Sequence, residues 1–286
     1  MKIYYISFDN FQFRGMELCT QHFKDFISIA EDTEISDHIS SLRYAGIIQH
    51  ALMPDADRIR NIISDYFILF LPRDIVSGDF YYTFRDRKKI CIATGDCTGH
   101  GVPGALMSIL GISFLNEILQ SGGCLKANRI LNLMREKVMK ALNQKGYSTD
   151  TKDSIDIGLC LIDYDLKRID FSGAGRPLYM VRNGALTEFN ADSMTIGIDP
   201  VQEKSFTNHS IITAPGDTFY LFSDGYCDQF GELTDKKFKY WRFRELIESV
   251  QDLDMTRQCS VLERTFLEWK GNVQQVDDVT IFGFRI

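Results

Sequence analysis

The sequence predicts an α+β fold in which mainly antiparallel sheets are layered, with helices on the outside. Apolar, strand-like runs fall in two blocks separated by a pair of helical segments, instead of alternating one strand with one helix. Asn183-Gly184 stands between two short apolar runs, the signal of a type I′ hairpin and therefore of antiparallel pairing. A chain of 286 residues, 44% hydrophobic and 12% aromatic, has ample material for a sizeable core, as one large domain or two small ones.

Residues 1 to about 30 are apolar and aromatic, with Gly15 as the only breaker, and are expected to pack on the main domain. From Ile35, the apolar positions Ile39, Leu42, Ala45, Ile48 and Leu52 recur at three- and four-residue spacing until Met53-Pro54, which predicts an amphipathic helix. Two readings of it have equal weight: a dimerising, signalling helix, or a helix packed against its own domain. Strands are expected at 66–71, 79–84 and 89–94, the last running into Gly95-Asp96. A helix then opens at Pro103, carries Leu106, Ile109, Leu110, Phe114 and Ile118 on one face, and ends at Gly122-Gly123; a second spans about 126–143. The second strand block comprises 155–164, 168–172, 178–181, 186–189, 205–213 and 218–222. Helices near 243–250 and 256–269 precede a final strand, 279–286. With no repeat, long linker or low-complexity tract, the chain divides into an N-terminal extension, 1–53, and one domain, 54–286.

A net charge of −7 with no Lys/Arg block argues against a nucleic acid or an anionic membrane as partner. Apolar runs such as 66–71 and 218–222 fall far short of the roughly 18–20 residues that span a bilayer, and the N-terminus lacks a basic-then-apolar pattern. The expectation is cytoplasmic residence with no membrane span. The seven cysteines (Cys19, Cys91, Cys97, Cys124, Cys160, Cys227 and Cys259) form no C-x-x-C pair and read as reduced, structural thiols. Cys97 and Cys227 adjoin aspartate motifs but lack the local pattern of a cysteine phosphatase or protease.

Four aspartates, each beside a glycine or at the foot of an apolar strand, carry the chemistry: Asp79 in SGDF, Asp96 in GDCTGHGVPGA, Asp224 in LFSDGYCDQF and Asp277 in DDVTIF. Asp224, Asp79 and Asp277 each alone have an ordinary explanation, a turn, a cap or a strand-entry charge, whereas Asp96, before a long glycine-rich turn, stands out even alone. Gathered in one pocket they repel one another unless a cation is present, and all-oxygen ligation suits magnesium or manganese. The 95–104 segment is the most specific. A strand ends at Asp96, the natural bridging ligand for two metals; Gly99 and Gly101 let backbone approach closely; and a helix starts at Val102-Pro103 with its amides facing an anion. The Lys and Ser/Thr of a P-loop are absent.

The ordered set SGDF, GDCTGHGVPGALM, SGAGRPLYMVRNG, LFSDGYCDQFG and DDVTIFGFRI, with IIQHALMP before it and SIDIGLCLIDYD within it, closely resembles the sporulation stage II protein E and RsbU-type phosphatases. These are a bacterial branch of the metal-dependent protein phosphatase 2C-like (PPM) superfamily. The resemblance covers about residues 45–286, and five motifs in order make coincidence improbable. It implies a four-layer α-β-β-α sandwich and a phosphoprotein phosphatase holding two manganese or magnesium ions. By the same resemblance Asp96 bridges the ions and the Cys97 carbonyl adjoins it. Asp79 reaches the first ion, directly or through water, Asp224 and Asp277 bind the second, and Asp278 is a weaker candidate. The implied reaction is in-line attack by a metal-activated water with no phosphoenzyme, and the D-x-D-x-T/V segment of an aspartyl-phosphate enzyme is absent. His100 is a candidate proton donor or water-ordering group, and Arg73 a candidate phosphate ligand or a solvated surface arginine.

The expected substrate is a phosphoserine or phosphothreonine on a bacterial regulatory protein, an anti-sigma-factor antagonist or a similar switch. Two other readings compete: a phosphatase-fold module that sequesters a phosphoprotein with weak catalysis, and a different two-metal phosphotransfer enzyme such as a nucleotide cyclase, for which no base-recognition pattern is present.

Overall fold

The computed structural model describes residues 33–286, apart from 87–88, 123–125, 146–150 and 199–203. The expected packing of residues 1 to about 30, together with Cys19 and Cys124, lies outside the described residues. The chain runs α1 (Thr33–Leu52), α2 (Ala56–Arg60), β1 (Tyr66–Leu71), β2 (Phe80–Asp86), β3 (Lys89–Cys97), α3 (Gly101–Gln120), α4 (Ala127–Ala141), β4 (Ile155–Asp163), β5 (Arg168–Ala174), β6 (Leu178–Arg182), β7 (Ala185–Phe189), β8 (His209–Ile212), β9 (Thr218–Phe222), α5 (Gly225–Asp228), α6 (Tyr240–Val250), α7 (Met255–Lys270) and β10 (Val279–Arg285).

Two five-stranded antiparallel sheets result, one ordered β1-β10-β9-β6-β7 and the other β2-β3-β4-β5-β8. β1 shows why they stack. Its alternate residues Tyr66, Ile68 and Phe70 join the core that also holds Ile157, Leu159 and Phe171 of the second sheet. Phe67, Leu69 and Leu71 point the other way, onto Phe243 of α6 and Leu262 and Phe266 of α7. A strand apolar on both faces must be covered on both, at roughly 1.5–3 kcal/mol for each large side chain buried. On the far side of the second sheet, α3 and α4 bring Ile112, Leu115, Ile130 and Met134. The architecture is the four-layer α-β-β-α sandwich that the resemblance implies.

Four details differ from expectation. Of the two readings given to the α1 stripe, packing against its own domain does not hold for its second half: Ala45, Ile48 and Leu52 are exposed, as are Tyr44 and Ile47, while Ile39 and Leu42 are half-buried. The helix packs through Gly46, Gln49 and Met53 instead. Gly46 allows this approach, since a Cβ there would stand 3.0 Å from the Ile75 carbonyl oxygen. Helix α3 is long and apolar enough to cross a membrane by length and composition, contrary to the estimate from short apolar runs. In the fold it lies against the second sheet with Gly104, Ala105, Met107, Ser108, Gly111, Ile112, Leu115 and Ile118 buried. Residues 205–208, expected to be strand, form no strand, because α4 claims their backbone. Asn128 donates to the Phe206 carbonyl and Asn132 accepts from the Phe206 amide. The two short helices α2 and α5 are too brief for apolar periodicity to reveal.

Candidate active site

Antiparallel pairing sets the strand ends side by side. Asp96 lies at the end of β3, directly opposite Asp156 at the start of β4. Asp79 precedes β2, whose first residue, Phe80, pairs with Gly95. In the other sheet the end of β9 leads to Asp224, beside the start of β10, which Asp277 and Asp278 precede. Asp96, Asp156, Asp224 and Asp277 thereby line one pocket of about 260 Å³ with Cys97, Thr98, Gly99, His100, Ser154 and Arg176.

Asp79 and Asp278 are buried and do not line this pocket. The Thr280 hydroxyl donates to Asp79 Oδ2 at 2.7 Å. Both oxygens of Asp278 accept backbone amides, Oδ1 from Arg73 and Oδ2 from Gly78, each at 2.7 Å, so Asp278 clasps the loop that delivers Asp79. A Cβ on Gly78 would lie 2.6 Å from the Gly99 carbonyl oxygen, and one on Gly104 only 2.2 Å from the same atom. These two glycines let the Asp79 loop, the 97–100 turn and helix α3 meet.

Arg176 holds the centre. Its Nη2 donates to Asp96 Oδ2 and to Asp224 Oδ2, both at 2.7 Å, and lies 3.5 Å from Asp156 Oδ2. It follows Gly175, whose φ of +69° and contact with Asp156 leave no room for a side chain. Burial raises the Asp96 carboxyl to about 7; Arg176 opposes the rise, and Asp224, Asp277 and Asp156 add to it. Asp79 is pushed well above the carboxylate range, first by burial and then by Asp96 and Asp278. Asp156 and Asp277 are raised chiefly by burial. Such carboxylates favour protons or cations, and their oxygens suit a hard divalent ion. As they stand, no three His, Cys, Asp or Glu side chains among the described residues are arranged to hold a metal ion. Arg176 already engages one oxygen each of Asp96 and Asp224.

His100 caps α3 without a side-chain bond to the helix, and its Nδ1 lies 3.0 Å from Asp74 Oδ2 at the pocket rim. Arg73 does not line the pocket; its guanidinium donates to the Val276 carbonyl at 2.9 Å. The Cys97 thiol is buried, and that burial raises it well above its ordinary value, away from the thiolate a nucleophile needs.

Residues 86–286 match the family model described as Stage II sporulation protein E (SpoIIE). The chain belongs to the SpoIIE family. Its fold is that of the PP2C-type serine phosphatases: it superposes on the SiaA-PP2C domain of Pseudomonas aeruginosa with a TM-score of 0.80 and 31% identity, covering 90% of this chain and 99% of that one. It shares the fold of the PP2C phosphatase domain of SpoIIE from Bacillus subtilis, at TM-score 0.63 and 20% identity over 78% of this chain and 63% of that structure. Phosphoserine phosphatase RsbU of Bacillus subtilis (strain 168) is 26% identical over 160 residues, 54% of this chain, and the match spans 44% of that relative's length.

Two site residues of this SpoIIE-family chain escaped the motif reading, Asp156 and Arg176. Both lie inside the segments SIDIGLCLIDYD and SGAGRPLYMVRNG. The available signals were an acid at the start of an otherwise apolar strand and an arginine after a glycine at a strand end, and neither says what it faces across the sheet.

Proposed function

We propose that this SpoIIE-family chain is a metal-dependent phosphoprotein phosphatase that removes phosphate from serine or threonine on a bacterial regulatory protein. The observation that carries the reading is the convergence of Asp96, Asp156, Asp224 and Asp277 from separate strand ends on one pocket, with Asp79 buried. By the chemistry of its all-oxygen donors the set suits two manganese or magnesium ions, which Asp79, Asp96, Asp224, Asp277 and the Cys97 carbonyl would hold. Such ions supply an activated water and neutralise the phosphate. The chain's own groups do the rest. Asp278 fixes the Asp79 loop, and Asp74 orients His100, which stands at the rim where a leaving serine oxygen needs a proton. Arg73 acts as a clasp on the 276 turn, not as a phosphate ligand.

RsbU, a phosphoserine phosphatase by name, supports a phosphoserine substrate; that this is a switch protein of the anti-sigma-factor-antagonist kind, met in the cytoplasm, is part of the same proposal. The open stripe Tyr44, Ile47, Ile48 and Leu52 on α1 supports a homodimer through that helix, the domain proper beginning near residue 54. The second reading, a binding module of weak catalysis, is favoured by one observation, the arginine seated among the metal ligands. Hydrolysis of an aryl phosphate separates the two. Turnover that requires manganese and falls roughly a thousandfold or more in Asp96→Asn supports the phosphatase. A folded protein that binds manganese without turnover overturns it.

A further inference from the structure

Arg176 is an unusual occupant for a carboxylate cage. Both hydrogens of its Nη2 are spent on Asp96 and Asp224, two of the carboxylates assigned above to metal. Its side chain is 10% exposed, yet its Nε is buried with no hydrogen-bond partner. An arginine kept only to brace the fold would engage its fork of donors fully; this one concentrates its contacts on a single cluster of negative charge. The backbone is built to deliver it, since strand β5 ends at Ala174 and Gly175 makes the turn in a left-handed conformation pressed on Asp156. Among the described residues, no three His, Cys, Asp or Glu side chains are arranged to hold an ion in this arrangement.

We propose that Arg176 is the resident cation of the cage, exchanging with divalent metal: it neutralises Asp96 and Asp224 in the metal-free protein and releases them when metal enters. The inference rests on the metal-dependent reading above. The physical ground is competition. A dication among these carboxylates would stand beside the guanidinium that bonds Asp96 and Asp224 at 2.7 Å and be repelled by its charge, and without either cation the buried carboxylates are left facing one another. Metal therefore binds only the fraction of molecules whose arginine has swung away, and the apparent dissociation constant rises by the inverse of that fraction. The site thus has a built-in threshold for metal concentration, set by the strength of the arginine contacts.

The test is a manganese titration of the full chain by calorimetry, with thermal unfolding in chelator and in saturating manganese, for the natural protein, Arg176→Ala and Arg176→Gln. The exchange predicts that both variants bind manganese about tenfold tighter or better. It also predicts melting points below the natural protein's in chelator and equal to it in manganese. A variant that folds only when manganese is present is the same result in stronger form. Unchanged or weaker manganese binding in the folded variants overturns the exchange alone, as does an equal loss of stability with and without metal, or a variant that fails to fold even in manganese. Absence of manganese binding by the natural protein overturns the metal-dependent reading as well, so the two failures are distinguishable.

Discussion

Asp96 sits among Arg176, Asp156, Asp224 and Asp277, and its carboxyl is raised to about 7, first by burial. The consequence for stability has a definite sign. A carboxyl whose folded-state pKa lies above its unfolded value binds protons more tightly when folded, so stability falls as pH rises from about 4 to about 7. The metal-free protein is therefore predicted to melt at a lower temperature at pH 7.5 than at pH 5. Saturating manganese should remove or reverse this slope, because metal replaces the proton. A melting point in chelator that rises steadily from pH 5 to pH 7.5 contradicts the assignment. At Cys97 the assigned group is the main-chain carbonyl, so Cys97→Ala should keep manganese-dependent turnover within a few-fold, at a stability loss of about 1–2 kcal/mol for the buried volume removed. Loss of turnover in a stable Cys97→Ala protein would assign the thiol a role it lacks here.

Elements carry the site by holding loops against one another. Gln49 of α1 donates to the Ser77 carbonyl and to the Ser108 hydroxyl of α3, and accepts from the Ser77 amide, two residues before Asp79. Gln49→Ala leaves these buried groups unpaired and should cost about 1–3 kcal/mol by denaturant unfolding. It should also weaken manganese binding, as should deletion of residues 1–53. Unchanged metal affinity in folded forms of both would show that α1 is merely attached. Gly104→Ala sets a Cβ against the Gly99 carbonyl and should destabilise the protein by about 1–3 kcal/mol while disturbing the 97–100 turn. Long apolar runs and the Asn183-Gly184 turn made most of the strands legible in the sequence, because a strand apolar on every residue has few alternatives. The packing face of α1 was not legible, since a glycine and a glutamine do the packing while Ile47 and Ile48 stay open. The 205–208 segment misled for a related reason: Phe206 is buried like a strand residue, but its backbone is bonded to asparagines of α4.

At the scale of the molecule, two stacked antiparallel sheets bring carboxylates from the ends of β3, β4, β9 and β10 to a single pocket, Asp79 before β2 is buried, and the turn after β5 adds the arginine. The ordered motifs announced Asp79, Asp96, Asp224 and Asp277 because each has a glycine or a strand foot beside it. Asp156 and Arg176 depend on cross-strand register and on a loop crossing the pocket, relations that local pattern does not record. This assembly is predicted to be a metal cage that an arginine keeps closed. Crystals of the protein loaded with manganese, with data collected at the metal's absorption edge, test that most directly. The predicted result is anomalous density in the pocket, contacted by Asp96, Asp224, Asp277 and the Cys97 carbonyl with Asp79 close by, and Arg176 withdrawn from Asp96 and Asp224. Manganese bound elsewhere or nowhere, with Arg176 still bonded to both aspartates, would contradict it.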